Sequence, residues 1–405
     1  MKRTVIALLL VLPAICNAQT ILEDSIARYF REAKIISEKD NGRLWGQKLY
    51  GPMILVDRNT GWAVANEQDS AKEFRKHGEV FIGKVPKTFG SNTAKQWGGK
   101  LWTIILWPLP KDEHERADLM MHELFHQLQL RTGMPAYSPA CDHLDKFEGR
   151  VLLKLELELL RKAINTNSKA DIQNALAMRQ LRYKKFPHAD SLEHALEMNE
   201  GLATYTGFIL SGVNDINKKI DDFYNNQTFV RSLGYVTGYV YGYLLSKKNP
   251  TWNRELKSFD EQLMRLYNIH LPASLEKTYE KLIKTYKPIY AFERSREEKR
   301  VAIQKEYRKK FVDGPVLELP GIDMNINFDP NKVQVLEGVG PVYPSLIIKA
   351  AWGTLEVHKG GALVKDWMTV YVPWPQKDWQ LELKDGWKIV PGKRTGDYRL
   401  ASLNQ

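Results

Sequence analysis

The segment MMHELFHQLQ at residues 120–129 carries two histidines four positions apart, with a glutamate directly after the first. In an α-helix, residues four apart lie about one turn apart on the same face, so His122 and His126 can bind one metal ion together. Glu123 lies about 100° further round the helix, where its carboxylate can reach a metal-bound water without coordinating the ion. This spacing is typical of zinc sites that activate water.

The HExxH pattern also occurs by chance, so its surroundings matter. Apolar residues surround it, namely Leu119, Met120, Leu124, Phe125, Leu128 and Leu130. They predict a buried helix and argue against a solvated face. Two histidines and a glutamate that are buried without a metal would lack polar partners, which is costly. The pattern and its context together predict a metal site.

The first residues of the chain predict export. The segment MKRTVIALLLVLPAICNAQT has a basic start, an apolar run and Ala18 before a plausible cleavage point, which indicates a signal peptide at residues 1–18 and a periplasmic or extracellular protein. Ile15 is too bulky for the residue expected before a lipid-modified Cys16, so lipid anchoring is not expected. No later apolar run is long enough to form a transmembrane segment.

Composition and charge are those of a globular protein. The 405 residues suffice for two or three domains. The net charge of +11 is widely spread, and its densest segments, ERSREEKR and EYRKK, interleave acidic residues as solvated helices do. No nucleic-acid-binding motif accompanies them, so no nucleic-acid partner is expected. Without the signal peptide Cys141 is the single cysteine, and no intrachain disulfide can form.

Hydrophobic patterning predicts an α+β domain at residues 19–312. A helix at about 20–39 precedes a small mixed sheet, with a hairpin formed by PMILVD and WAVAN, the strand EVFIGKV and the long apolar strand KLWTIILWPLP. The helix that carries HELFH follows the sheet. A mainly helical region comes next, and it includes a predicted insertion of two antiparallel helices at about 143–190.

Residues 313–405 predict a separate all-β domain, a sandwich or barrel of short strands between Gly, Pro and Asp turns. In the segment WQLELKDGWKIV, Asp385 and Gly386 predict a tight hairpin turn. The domain has many tryptophans for its size. They form either a core or an aromatic face that binds sugar or peptide, and the core is the expected role. Any contact with the cell envelope is expected through this domain. The domain is expected to contribute no catalytic residue.

A catalytic zinc site usually has three protein ligands and keeps a fourth position for water. The segment MPAYSPACDHLD lacks the Gly-x-x-His continuation of the metzincin peptidases, so His143 is a weak candidate for the third ligand. Glu200, in EMNEGLATYTG, lies within an apolar helical pattern beside the small residue Gly201, and it is the predicted third ligand. Glu193 and Glu197 precede it at helical spacing, and they either orient a metal-bound histidine or have no role at the metal.

HELFH followed by NEGLATY resembles the gluzincin metallopeptidases, in particular the Asn-Glu-Gly-Phe/Leu-Ala segment of the aminopeptidase N relatives. The resemblance covers about residues 50–250 and implies a zincin-like catalytic domain. It also implies that zinc is bound by His122, His126 and Glu200, with one zinc ion per chain. Glu123 would be the general base.

The segment LGYVTGYVYGYLL contains Tyr235 three residues before Gly238, similar to the Tyr-x-x-Gly of those relatives. Their tyrosine stabilises the tetrahedral oxyanion, which implies a catalytic role for Tyr235. Aromatic packing in the core is the alternative role.

The chain also departs from these relatives. Between His126 and Glu200 lie 73 residues, many more than in aminopeptidase N. The Gly-x-Met-Glu-Asn element that binds a substrate's amino terminus is absent, and the corresponding region reads KQWGGKLWTIILWPLP. This favours an endopeptidase or oligopeptidase over an aminopeptidase.

These features predict an exported zinc-dependent metallopeptidase that hydrolyses peptides or proteins. The segment KLWTIILWPLP is either the edge strand on which an extended peptide lies or an ordinary buried strand. The alternative function is an inactive zincin-like binding protein of the cell envelope. The intact Glu123 argues against that alternative, because an inactive relative is expected to lose the base or a ligand.

Overall fold

The computed structural model describes residues 12–86, 89–329 and 332–403, with residues 12–25 described by their backbone alone. The predicted signal peptide falls mainly on residues 1–11, outside the described residues, and remains a prediction. None of the described helices combines the length and apolarity of a membrane span. The fold is mixed α+β, with a helical middle region and a C-terminal β-sheet region. The chain divides into two compact units, Met1–Tyr290 and Ala291–Gln405.

The first unit opens with a long helix and a six-stranded sheet. Its elements are α1 (Leu12–Asp40), β1 (Met53–Val56), β2 (Trp62–Ala65), β3 (Arg75–His77), β4 (Val80–Lys84), β5 (Thr93–Trp97) and β6 (Lys100–Leu106). The strands lie in the order β3-β4-β2-β1-β6-β5. β1 and β6 are parallel, and the other neighbours are antiparallel, so the sheet is mixed. The predicted PMILVD–WAVAN hairpin is confirmed as β1–β2.

The strand order of this sheet decides between the two alternatives predicted for KLWTIILWPLP. Strand β6 lies between β1 and β5, so KLWTIILWPLP is an interior strand and the edge-strand alternative is wrong. The edge strand next to β6 is β5, which reaches β6 through a turn at Gly98 and Gly99, whose φ angles are 53° and 77°. Two consecutive glycines suit such a two-residue hairpin turn. The Trp-Gly-Gly-Lys sequence is therefore a hairpin signal that apolar patterning did not reveal.

The helical region follows the sheet. Apart from short 3-10 turns, its elements are α2 (Glu113–Thr132), α3 (Phe147–Thr166), α4 (Lys169–Lys185), α5 (Ala189–Leu196), a π-helical turn (Glu197–Gly201), α6 (Leu202–Ser211), α7 (Ile216–Tyr224), α8 (Leu233–Lys248), α9 (Phe259–Tyr267), α10 (Leu275–Thr285) and α11 (Lys287–Arg308), which continues into a short π-helical segment at Lys309–Asp313. The predicted pair in the insertion is α3 and α4, which pack along each other. The helix predicted around Glu200 is interrupted by the π-helical turn.

Helix α2 has defined ends and a buried face. Asp112 caps its first turn by accepting a hydrogen bond from the Glu115 amide at 2.9 Å. Gly133, with φ 71°, ends it in the left-handed conformation that favours glycine. Between these ends the helix packs against β5, β6 and α6, and most of its apolar residues lie in the core, whereas Leu119 is half-buried and Leu130 is exposed. The prediction of a buried helix around HELFH is confirmed.

The second unit contains two β-sheets. The larger has the strands β7 (Val316–Pro320), β9 (Gln334–Leu336), β10 (Gly340–Tyr343), β13 (Ala362–Lys365), β14 (Thr369–Pro373), β16 (Trp387–Pro391) and β17 (Tyr398–Ser402), and the smaller has β8 (Asn325–Phe328), β11 (Leu346–Ala350), β12 (Gly353–Val357) and β15 (Trp379–Leu383). Trp352 and Trp379 are buried in its core, whereas Trp367 is exposed. Contact with a cell envelope through this unit remains a prediction.

The predicted hairpin at Asp385 and Gly386 is wrong. Strand β15 pairs with β12, while β16 pairs with β17 in the other sheet. The chain does turn there, because Gly386 has φ 89°, but the turn leads from one sheet to the other. Turn residues indicate where a chain reverses, whereas burial of the strand faces decides which strands pair.

Candidate metal centre

A cleft of about 480 Å³ in the first unit brings the predicted site residues together. We call it the metal-site cleft. Its walls are residues 92–94 at the edge strand β5, one face of α2, the π-helical turn with the start of α6, and α8. The predicted residues His122, Glu123, His126, Glu200 and Tyr235 all line it.

The two histidines of α2 face one point in the cleft. The Nε2 atoms of His122 and His126 are 3.1 Å apart, and their rings meet edge to face with centroids 4.9 Å apart. This follows from their spacing of one helical turn. His122 is buried and His126 is nearly so.

Glu200 completes the group from the π-helical turn. Its Oε2 atom lies 3.4 Å from Nε2 of His122 and 3.5 Å from Nε2 of His126. Within the described part of the chain, ligand atoms of His122, His126 and Glu200 all lie within 4.8 Å of one another. Burial opposes ionisation of Glu200, but the two imidazoles outweigh it, so the pKa of Glu200 lies well below its ordinary value.

The group fits zinc in both chemistry and size. Two imidazoles and a carboxylate are a common ligand set for catalytic zinc, with metal–ligand distances of about 2.0–2.2 Å. Tetrahedral geometry then separates the ligand atoms by about 3.3–3.6 Å, close to the observed 3.1, 3.4 and 3.5 Å. Oε2 of Glu200 is buried and has no hydrogen-bond partner among the described residues. A buried carboxylate oxygen without a donor is costly, and a metal ion would satisfy it.

Gln129 orients His126. Its Oε1 atom is 2.7 Å from Nδ1 of His126, so a proton on Nδ1 leaves the Nε2 lone pair directed into the cleft. The amide nitrogen of Gln129 donates to the carbonyl oxygens of Pro135 and Met198 at 2.9 and 3.0 Å. Gln129 therefore ties the histidine to the π-helical turn. The sequence pattern did not predict this role for Gln129, although its position three residues after His126 was a signal.

Other polar contacts orient Glu200 and His122. Ser138 and Asn199 donate to Oε1 of Glu200 at 3.1 and 3.2 Å, which turns Oε2 toward the histidines. Thr204 Oγ1 lies 3.5 Å from Nδ1 of His122. These three residues were also missed. Ser138 lies in a loop without a recognisable pattern, whereas Asn199 is part of the NEGLA segment itself.

Glu123 lies beside the histidines without joining the ligand group. Its side chain is buried at the metal-site cleft, and Oε2 has no hydrogen-bond partner among the described residues. Burial raises the pKa of Glu123, and the nearby His122 and His126 oppose this rise. A carboxylate held in this way is able to accept and return a proton from a group in the cleft.

Tyr235 lies at the cleft and not in the core. Its ring stacks on His122 with centroids 5.6 Å apart and planes 8° apart, and 46% of the residue is exposed. Burial of part of the side chain, together with the negative charge of Glu200, raises the pKa of its hydroxyl far above the ordinary value. The hydroxyl therefore keeps its proton and remains a hydrogen-bond donor. Tyr239 and Tyr241, on the same helix, are buried.

Two glycines of α8 bring Tyr235 to this position. A Cβ atom on Gly234 would lie 2.7 Å from Cβ of Glu200, and one on Gly238 would lie 2.4 Å from the carbonyl oxygen of Gly201. Only residues without a side chain permit so close an approach of α8 to the π-helical turn. The Tyr-x-x-Gly similarity thus has a packing reason in this chain.

His143 and the glutamates before Glu200 lie elsewhere. His143 Nε2 is 2.7 Å from Oε1 of Glu193, and it is not part of the ligand group. Glu193 also pairs with Arg182, and Glu197 pairs with Arg179. Neither glutamate contacts His122 or His126, so the alternative in which one of them orients a metal-bound histidine is wrong.

Comparison with known proteins identifies neither a family nor a function for this chain. The chain matches no protein-family model, no curated protein and no solved structure with which it was compared. The residues of the metal-site cleft and their geometry are therefore the basis for proposing a function.

Proposed function

We propose that this chain is a zinc-dependent metallopeptidase of the gluzincin type, with a zincin-like catalytic fold in its first unit. The observation that carries the proposal is the convergence of His122, His126 and Glu200 on one point, with Glu123 beside them in the same cleft. The resemblance of HELFH and NEGLATY to the gluzincins supports the same conclusion. Zinc, when bound, would lower the pKa of its water to near 7 and polarise the scissile carbonyl.

Side chains of this protein transfer the proton and stabilise the negative charge that develops on the substrate. Glu123 accepts a proton from the attacking water and delivers it to the leaving nitrogen. Its burial favours this role, because a raised pKa lets the carboxylate both take up and release a proton. The Tyr235 hydroxyl, which stays protonated, donates a hydrogen bond to the carbonyl oxygen as negative charge develops there.

The edge strand β5 is suited to bind an extended peptide. It is the outermost strand on its side of the sheet, so no strand among the described residues pairs with its outer main-chain groups. Thr93 and Ala94 at its start line the metal-site cleft. A peptide laid beside β5 would form main-chain hydrogen bonds that do not depend on side chains. We assign to β5, and not to KLWTIILWPLP, the role of the edge strand on which an extended peptide lies.

The shape of the cleft supports action within a peptide chain. The cleft extends along α2 from Glu115 to Leu130, on both sides of the histidines, so substrate residues have room on either side of the cleaved bond. Asp118, which could otherwise bind an amino terminus, already accepts a hydrogen bond from Tyr239 and pairs with Lys219 at 3.2 Å. An endopeptidase or oligopeptidase is therefore favoured over an aminopeptidase.

Cleavage of a mixed library of unstructured peptides tests the proposal. We expect new peptide termini to appear by mass spectrometry with the zinc-loaded protein, to disappear after chelation, and to return when zinc is restored. Internal cleavage sites are expected, since residues of α2 on both sides of the histidines line the cleft. Cleavage that survives complete metal removal, or no cleavage by a fully zinc-loaded protein, would argue for the alternative of a binding protein.

Tyr235→Phe is expected to lower kcat by about 10²–10³-fold, with a small change in KM and unchanged zinc content, because one donor to the developing oxyanion is lost. Steady-state kinetics on a peptide from the library measures the effect. Tyr243→Phe is the matched control, since Tyr243 lies on the same helix but does not line the cleft. Equal kcat in the two variants would remove Tyr235 from the catalytic set.

A further inference from the structure

A fully buried network of charged side chains joins the helical insertion to the segment that carries Glu200. Arg179 and Arg182 come from α4, Glu156 from α3, Glu193 from α5, and Glu197 is the first residue of the π-helical turn. Each of the five has a relative exposure of 0%. The network therefore lies within the protein interior, where charges are retained only if they are paired and hydrogen-bonded.

The pairing is close and directional. Arg179 donates to both carboxylate oxygens of Glu197, at 2.7 and 3.1 Å. Arg182 likewise donates to both carboxylate oxygens of Glu193, at 2.6 Å for each hydrogen bond. Glu156 accepts from Nε of Arg179 at 2.9 Å and from Nη1 of Arg182 at 2.7 Å, so it links the two ion pairs. Two-bond pairs of this kind fix orientation as well as distance.

The location of Glu197 gives its ion pair a particular consequence. Glu197 opens the π-helical turn and Glu200 is the fourth of its five residues. A π-helical turn is an uncommon conformation and is frequent at functional sites. Its other anchors include Gln129, which binds the carbonyl of Met198, and Asn199, which binds Ser138. The Arg179–Glu197 pair is the anchor that comes from the insertion.

Buried ion pairs are a poor source of stability, because the desolvation of two charges offsets most of their attraction. A pair of apolar residues in the same place is often as stable or more stable. A general contribution to stability is therefore a weak explanation for this network. Fixing the direction of one backbone turn is an explanation that matches its geometry.

We propose that Glu197 is a positioning residue for the metal centre. Paired with Arg179, it holds the π-helical turn in the conformation that directs Oε2 of Glu200 toward His122 and His126. The helices α3 and α4 lie between His126 and Glu200 in the chain. They are therefore a structural part of the metal site. This inference rests on the proposed zinc site.

The test compares zinc affinity with stability in matched variants. Glu197→Gln keeps the size of the side chain but removes its charge, and Glu193→Gln makes the same change one turn earlier in the same network. We expect zinc affinity, measured by titration calorimetry on the full chain, to fall about 10–100-fold in Glu197→Gln. A much smaller fall is expected in Glu193→Gln, although urea unfolding should show that both variants lose stability. A merely structural role predicts that the two variants change equally in both measurements.

The double variant Arg179→Met/Glu197→Met separates positioning from the cost of an unpaired buried charge. It removes one positive and one negative group together, so the formal charge of the network is unchanged. We expect its stability to exceed that of Glu197→Gln, while its zinc affinity stays well below that of the wild type. Wild-type zinc affinity in the double variant would overturn the positioning role alone. A wild-type protein that binds no zinc would overturn the proposed function, and the positioning role with it.

Discussion

Glu123→Gln is expected to lower the rate of peptide cleavage by about 10²–10⁴-fold while zinc content stays at the wild-type level. Glutamine has nearly the size of glutamate but cannot accept the proton of the attacking water. The residue lies beside the ligand group and is not part of it, so its loss should spare the metal. Cleavage kinetics and elemental analysis on the same preparation measure the two effects.

Glu113→Gln is the matched control for this prediction, because Glu113 is an exposed glutamate at the start of the same helix and does not line the metal-site cleft. The control should cleave at the wild-type rate. Comparable cleavage by Glu123→Gln and wild type would show that Glu123 is not the base. Loss of zinc from Glu123→Gln would instead assign it a part in holding the metal.

His126→Ala and Glu200→Gln are each expected to weaken zinc binding by more than the roughly 10–100-fold cost of losing an outer contact, because each removes a direct ligand. Thermal unfolding offers an independent measurement. Zinc at about 100 times its Kd should stabilise the wild-type protein by about 2.7 kcal/mol, and this gain should vanish in the variants. Zinc-free variants should retain the far-ultraviolet spectrum of the zinc-free wild type.

His114→Ala is the control for these ligand variants. His114 is an exposed histidine on the first turn of the same helix, and its Nδ1 lies 2.7 Å from the carbonyl oxygen of Ser211, outside the metal-site cleft. It should keep full zinc-dependent stabilisation. If His126→Ala or Glu200→Gln also keeps it, that residue does not bind the metal.

The part of the site on α2 follows from the sequence because its spacing is local. His122 and His126 share a face at any place where the chain is helical. The apolar residues around the histidines likewise predict burial. These inferences need no knowledge of distant contacts, and the structure agrees with them.

The part contributed by Glu200 depends on distant contacts. Periodicity predicts an uninterrupted helix there, whereas the chain forms a π-helical turn held by Gln129 from α2 and by Arg179 from α4. Ser138, which orients the carboxylate, lies in a loop. Such anchors are defined by tertiary packing, so single-sequence patterns do not reveal them. Hydrophobic patterning also did not predict the edge strand β5, which is joined to β6 by a turn at two glycines.

Anomalous scattering at the zinc absorption edge, measured on crystals of the wild-type protein, locates the bound zinc ion. We expect an anomalous peak within about 2.0–2.2 Å of Nε2 of His122, Nε2 of His126 and Oε2 of Glu200. Glu123 should lie nearby without coordinating the ion. Zinc bound at other residues, with no peak between these three side chains, would show that His122, His126 and Glu200 do not form the zinc site.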